Sequence, residues 1–190
     1  MAEQNVNSSA TTTISLEETL KAILPDGKVD GKLPPVHLWN PPFCGDLDME
    51  IRADGVWFYE GTPIGRPAMV RLFSTVLKRE GDSFFLVTPV EKVGIRVEDA
   101  PFIAFDAEIA PDRIIFTTNV GDLVTADAEH PIVIRGTTAE PRPYVHVRAG
   151  LEALIDRKTF YRLAAAADVT GDGDGRAGVR SAGQFFPLEP

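Results

Sequence analysis

The chain has one cysteine in 190 residues, Cys44, which excludes an intramolecular disulfide and fits a reducing compartment. It lacks any apolar run near the roughly 18 residues of a membrane span, and its start has no basic stretch leading into an apolar core. A cytoplasmic protein with no membrane partner is therefore expected. Positive charge is short as well: 19 Lys and Arg face 28 Asp and Glu, for a net charge of −9. That balance excludes general affinity for nucleic acid, because neutralising phosphates takes clustered cations. An anionic ligand can still bind a locally basic pocket. Nothing in the residue pattern compels an enzymatic reading, and neither a metal nor a cofactor is expected.

What is present is ordinary globular material, 44% hydrophobic, enough for one compact body in two halves. Residues 1–13 are polar and read as a disordered start. Ser15 and Glu18 make a capping box, and Leu16, Leu20, Ile23 and Leu24 fall at helical spacing, which predicts a short docking helix. The Pro- and Gly-rich stretch 25–42 wraps a surface in extended form, anchored by Trp39. From Leu47 the period becomes two, with Leu47, Met49 and Ile51 opposite Asp46, Asp48, Glu50 and Arg52, and Asp54-Gly55 offers a two-residue hairpin turn into Val56–Tyr59. Pro67 suits a first helical position, and Met69, Leu72, Phe73, Val76 and Leu77 extend the helix until Gly81. Phe84–Thr88 is then a strand, closing a β-β-α-β unit over 14–89.

The second half is expected over 90–167. It opens with Val93, Ile95 and Val97 in alternation. Strands at 102–109, 113–118, 123–126, 132–135 and 144–148 follow, separated by turn signals at Pro111-Asp112, Asn119–Asp122 and Gly136. Leu151, Leu154 and Ile155 start a helical region that resumes over 160–167, and residues 168–190 form a flexible tail. A weak internal echo pairs Lys78-Arg79 and Phe84-Phe85-Leu86 with Arg157-Lys158, Phe160-Tyr161 and Leu163. The fold class is α+β: two tandem similar halves of antiparallel strands plus a helix.

Five long words carry a resemblance: WNPPFCGDLDMEI (39–51), DGVWFYEGTPIGR (54–66), LVTPVEKVGIRVEDAPF (86–102), FTTNVGD (116–122) and PYVHVRAGLEALIDRKTFYRL (143–163). In them the chain resembles the bacterial domain of unknown function 1285 family, from about Leu33 to Leu163. The resemblance implies a duplicated α+β core whose second half is a pleckstrin-homology-like β-barrel or roll. It also implies a cleft between the halves holding a nucleotide-like ligand in signal transduction.

The residues supply candidates for such a cleft. Between His130 and Arg148 stand His130, Arg135, Arg142, His146 and Arg148 against one acid, Glu140. Alternation puts Tyr144, His146 and Arg148 on one strand face, where a ring can stack on a base and the cations can meet phosphate. Thr88, Glu91, Lys92 and Arg96 fall at the junction of the halves and Asn119 in a turn, and Trp39 and Arg66 complete the expected ligand-binding set. Each also has a bland alternative: a solvent face, a hinge pair, or a left-handed turn. No catalytic residue is assigned. Cys44 is expected to be buried and inert. Asp46, Asp48 and Glu50 are expected to be solvated, with no histidine near them in sequence. Asp168, Thr170, Asp172 and Gly173 imitate a calcium loop, but position twelve is Val179 where the bidentate Glu belongs. The expected function is a non-enzymatic sensor for a small anionic, nucleotide-like ligand, with a signalling protein as a possible partner. The alternatives are an adaptor without a ligand, or a hydrolase or thiol enzyme using Cys44 or Asp46 and Asp48.

Overall fold

A computed structural model describes residues 33–168 and 175–190. The expected disordered start, the docking helix at 15–24 and most of the calcium-like loop lie outside the described residues. In the first half, strands β1 (Phe43–Ile51), β2 (Trp57–Tyr59) and β3 (Thr62–Pro63) form a meander. Helix α1 (Pro67–Thr75) follows, then a second meander of β4 (Leu77–Glu80), β5 (Ser83–Val87) and β6 (Lys92–Val97). The sheet order is β3-β2-β1-β6-β5-β4, so the first and last strands meet in the middle, and they do so in parallel.

The second half repeats this plan. Its meanders are β7 (Phe102–Ile109), β8 (Ile114–Thr118) and β9 (Leu123–Thr125), then β10 (Ile132–Gly136), β11 (Pro141–Arg148) and β12 (Leu151–Ile155). The order β10-β11-β12-β7-β8-β9 again joins first and last strands in parallel at the centre. Helix α2 (Arg157–Ala165) comes after the sheet, its N-terminus capped by Asp156, whose carboxylate accepts the Thr159 N–H at 2.7 Å. The chain is thus α+β and mostly β, with two similar six-stranded sheets in tandem. The likeness of the halves lies in this strand order. The echo expected from sequence is not part of it, because Phe84-Phe85-Leu86 sit in β5 while Phe160 to Leu163 sit in α2.

Several expected elements change. The half boundary moves from 89/90 to 98–101, because β6 pairs with β1 and β5 in the first sheet, and each sheet has one parallel pair among its antiparallel ones. Helix α1 stops at Thr75, where the Ser74 and Thr75 hydroxyls donate back to the Arg71 and Leu72 carbonyls and Leu77 pairs with Leu86 instead. Gly81 therefore serves a hairpin turn. Leu151 to Ile155 is strand: Leu151, Ala153 and Ile155 are buried in alternation. The turn that makes it so is Ala149-Gly150, both at positive φ (45° and 77°), the backbone of a tight two-residue hairpin. The loop at Asp54-Gly55 is wider than expected, with Arg52 donating to the Val56 carbonyl at 3.0 Å.

Residues 178–187, expected within the flexible tail, form a hairpin of β13 (Gly178–Ser181) and β14 (Gln184–Pro187). Val179, Phe186 and Leu188 are buried in the core. The Ser181 hydroxyl accepts the Ile114 N–H at 2.8 Å and donates to the Ala126 carbonyl at 2.6 Å, tying the hairpin to the second sheet. One continuous core runs through both halves, from Met49, Ile51, Trp57 and Phe73 to Phe102, Phe116, Ile155 and Leu163. At roughly 25 cal/mol per Å² of apolar surface, that shared burial is the main force holding the halves together. No helix among the described residues is long and apolar enough to cross a membrane.

Candidate ligand site between the halves

The residues expected to share one basic strand face are instead taken up by partners within the chain, and a register shift after His146 pairs Arg148 with Leu151, on the side opposite Tyr144 and His146. Arg148 ion-pairs with Asp122, donates to the Ser74 carbonyl at the end of α1 (2.9 Å), and lies 5.0 Å from the centre of the Phe102 ring. Asn119 accepts the Ile103 N–H at 3.0 Å and donates to the Gly55 carbonyl at 3.2 Å, bridging β7 to the β1–β2 turn. The Tyr144 hydroxyl donates to Asp99 at 2.7 Å and accepts from Arg142, which also pairs with Asp99 at 2.6 Å. Burial, then the bond to Asp99, holds the Tyr144 phenol above its ordinary pKa. His146 is saturated. Its Nδ1 faces the Glu129 carbonyl at 2.8 Å and its Nε2 the Gly150 N–H at 3.0 Å, so only the Nδ1-protonated neutral tautomer satisfies both. Each of these side chains thus has an intramolecular partner.

The other expected residues are dispersed. Thr88 is buried and its hydroxyl accepts the Val90 and Glu91 N–H groups, which makes 88–91 a side-chain-braced turn between β5 and β6. Lys92 binds Glu80 at 2.9 Å, and Arg96 pairs with Asp48 (3.2 Å) and Glu50 (3.8 Å), all on the outer face of the first sheet. Trp39 packs against the core and offers its carbonyl to Lys78, while Arg66 is the exposed residue before α1. Cys44, expected to be buried, is exposed near the start of β1, and its one hydrogen bond among the described residues runs to the Pro42 carbonyl at 3.5 Å. Asp46 and Asp48 are exposed, as expected, and no cluster among the described residues could hold a metal.

A pocket of about 420 Å³ opens where α1 of the first half meets the β8–β9 turn of the second. Leu33, Ala68, Leu72 and Val120 give it an apolar wall, and Arg71 and Arg148 bring two guanidinium groups. Only Arg148 is neutralised. Arg71 is exposed, forms no ion pair among the described residues, and lies over Gly121, where a Cβ would stand 2.8 Å from its Nη2. Gly121, at φ +89°, lets the two halves approach there. Sequence reasoning missed both residues. Arg71 reads as one polar position of an amphipathic helix, and only the fold sets it against a glycine 50 positions along the chain.

Two family models match the chain: the N-terminal domain of a domain of unknown function, DUF1285, over residues 34–100, and the C-terminal domain of the protein of unknown function DUF1285 over residues 101–188. The chain belongs to the DUF1285 family. Its domain border at 100/101 falls where the first sheet gives way to the second. A crystal structure of a DUF1285 family protein from Silicibacter pomeroyi DSS-3 is 57% identical, covers 90% of this chain and 94% of its own, and superposes with a TM-score of 0.81. Another, from Shewanella baltica OS155, is 30% identical over 61% of this chain and 89% of its own, with a TM-score of 0.50. No curated protein matches. Both DUF1285 domains build the pocket, the first supplying Arg71 and the second Gly121 and Arg148.

Proposed function

We propose that the protein is a non-enzymatic binding or sensor module that holds a small anionic, nucleotide-like ligand in the pocket between its halves. The observation that carries this reading is Arg71, a guanidinium without an ion pair among the described residues, at the mouth of a 420 Å³ pocket with an apolar wall. Ligand sites favour such junctions, and a mostly apolar lining with a few polar groups is their usual make-up. Arg148 is the weaker recognition group, because Asp122 already cancels its charge. The reading of the second half as a pleckstrin-homology-like roll draws on its two meanders followed by α2, and a role in signal transduction would rest on ligand binding. The thiol-enzyme reading has less support, since Cys44 lies against a carbonyl oxygen on an open strand.

The test is a thermal-shift screen against mono-, di- and cyclic nucleotides, with calcium and inorganic phosphate as controls. A ligand at about 100 times its Kd adds about 2.7 kcal/mol, which raises the Tm of a chain this size by roughly 5 to 10 °C. The shift is expected with one nucleotide class and is expected to vanish in Arg71→Ala at unchanged basal Tm. No shift with any nucleotide, or a shift that survives Arg71→Ala, would overturn the assignment.

A further inference from the structure

The outer face of the first sheet carries a separate groove of about 590 Å³ over β1, β6 and β5. Its apolar part is Phe43, 55% exposed, set edge-to-face against Phe85 with ring centres 6.1 Å apart and planes at 86°. Its charge is negative. Arg96 is cancelled by Asp48 and Glu50, whereas Asp46 has no ion pair among the described residues and Glu98 accepts only the Ala53 N–H, at 2.8 Å. Gly94 seats Asp46, for a Cβ there would overlap its carboxylate. The register places Asp46 beside Gly94, and Gly94, Arg96 and Glu98 share one face of the extended chain by alternation. These two carboxylates, neither in an ion pair among the described residues, therefore stand about four strand residues apart, roughly 13 Å, with the aromatic pair at the Asp46 end.

We propose that this face docks an extended basic peptide segment of a partner protein, with cations at positions i and i+4 and an apolar side chain just before the first. The cations meet Asp46 and Glu98, and the apolar side chain covers Phe43 and Phe85. Charge complementarity selects this occupant: an acidic groove on a chain of net charge −9 repels acidic segments and attracts basic ones. The site is independent of the pocket between the halves, so either assignment can fail without the other.

The probe is the blocked peptide Leu-Lys-Ser-Gly-Ser-Lys with a fluorophore, titrated into the full-length protein and read by anisotropy, with Leu-Glu-Ser-Gly-Ser-Glu as control. Saturable binding of the basic peptide alone is expected. It should weaken about tenfold in Asp46→Asn/Glu98→Gln, two exposed ion pairs being lost, and also in Phe43→Ser. Absence of saturable binding, or binding indifferent to the double substitution, would overturn the proposal. So would a shift of the Phe43 and Phe85 ring resonances caused by Leu20→Asp without peptide, which would make residues 1–32 the occupant.

Discussion

Replacing Arg148 with Met keeps most of its bulk and removes its charge, and the structure gives the cost. The guanidinium loses the ion pair to Asp122, whose side chain is 25% exposed, and the bond to the Ser74 carbonyl. A hydrogen bond to a charged group contributes about 1.5 to 3 kcal/mol, and an abandoned acceptor is not fully rehydrated. We expect a loss of about 3 kcal/mol, or a Tm fall of roughly 6 to 12 °C. The assay is urea unfolding followed by the fluorescence of Trp39 and Trp57, the latter buried against Phe73. In a double-mutant cycle with Asp122→Asn, the second substitution should cost little once the first is made, with coupling of about 1 to 2 kcal/mol. Stability of Arg148→Met within about 0.5 kcal/mol of the parent would refute the view that Arg148, through the Ser74 carbonyl, clamps the halves, and full additivity with Asp122→Asn would remove the Asp122 ion pair from its contribution.

Gly55→Ala should destabilise by about 2 to 4 kcal/mol. The position has φ +80°, and a Cβ would stand 2.5 Å from Ile103 Cγ1 and 2.9 Å from Asn119 Nδ2. A change below about 1 kcal/mol in urea unfolding would contradict this tight inter-half approach. Glu80 is held below its ordinary carboxylate range by its bonds to Lys92 and then Lys78. A depressed folded-state value means that its contribution is present above the unfolded value near 4.5 and is lost as pH falls below that. With 36% exposure the contribution is under about 1 kcal/mol. The stability gap between the parent and Glu80→Gln should shrink from pH 7 to pH 3, and a constant gap would remove Glu80 from the acid response.

Much of the fold was legible because the strands carry their own period. The alternation at Leu47, Met49 and Ile51 survives intact as a buried face. What was not legible lay in turns whose residues do not advertise them. Ala149-Gly150 has the backbone of an Asn-Gly hairpin without the Asn, so Leu151, Leu154 and Ile155 looked helical when Leu151, Ala153 and Ile155 were the true set. In the same way Val76 and Leu77 continue the helical stripe of α1, yet Val76 ends the helix in a turn and pairing with β5 makes Leu77 the start of a strand. The candidate site was less legible for a different reason. Alternation sets Tyr144, His146 and Arg148 on one strand face, but a register shift after His146 pairs Arg148 with Leu151 and turns it to the other side, and a sequence cannot say that Asp99, Glu129 and Asp122 would claim these groups. Arg71, which has no ion pair among the described residues, becomes visible as a candidate only when α1 and the β8–β9 turn are brought together.

The parallel pairing of β1 with β6 also bears on how the chain is made. β1 is complete at Ile51, but its central neighbour is not finished until Val97, so during synthesis β1 waits with one open edge. Such long-range closure is slow, and an unpaired strand edge is the feature that invites association with other chains. The same wait recurs between Ile109 and Ile155 in the second half. The exposed acids of β1, Asp46 and Asp48, stand on the waiting strand, where charge keeps a neighbouring nascent chain from pairing with it.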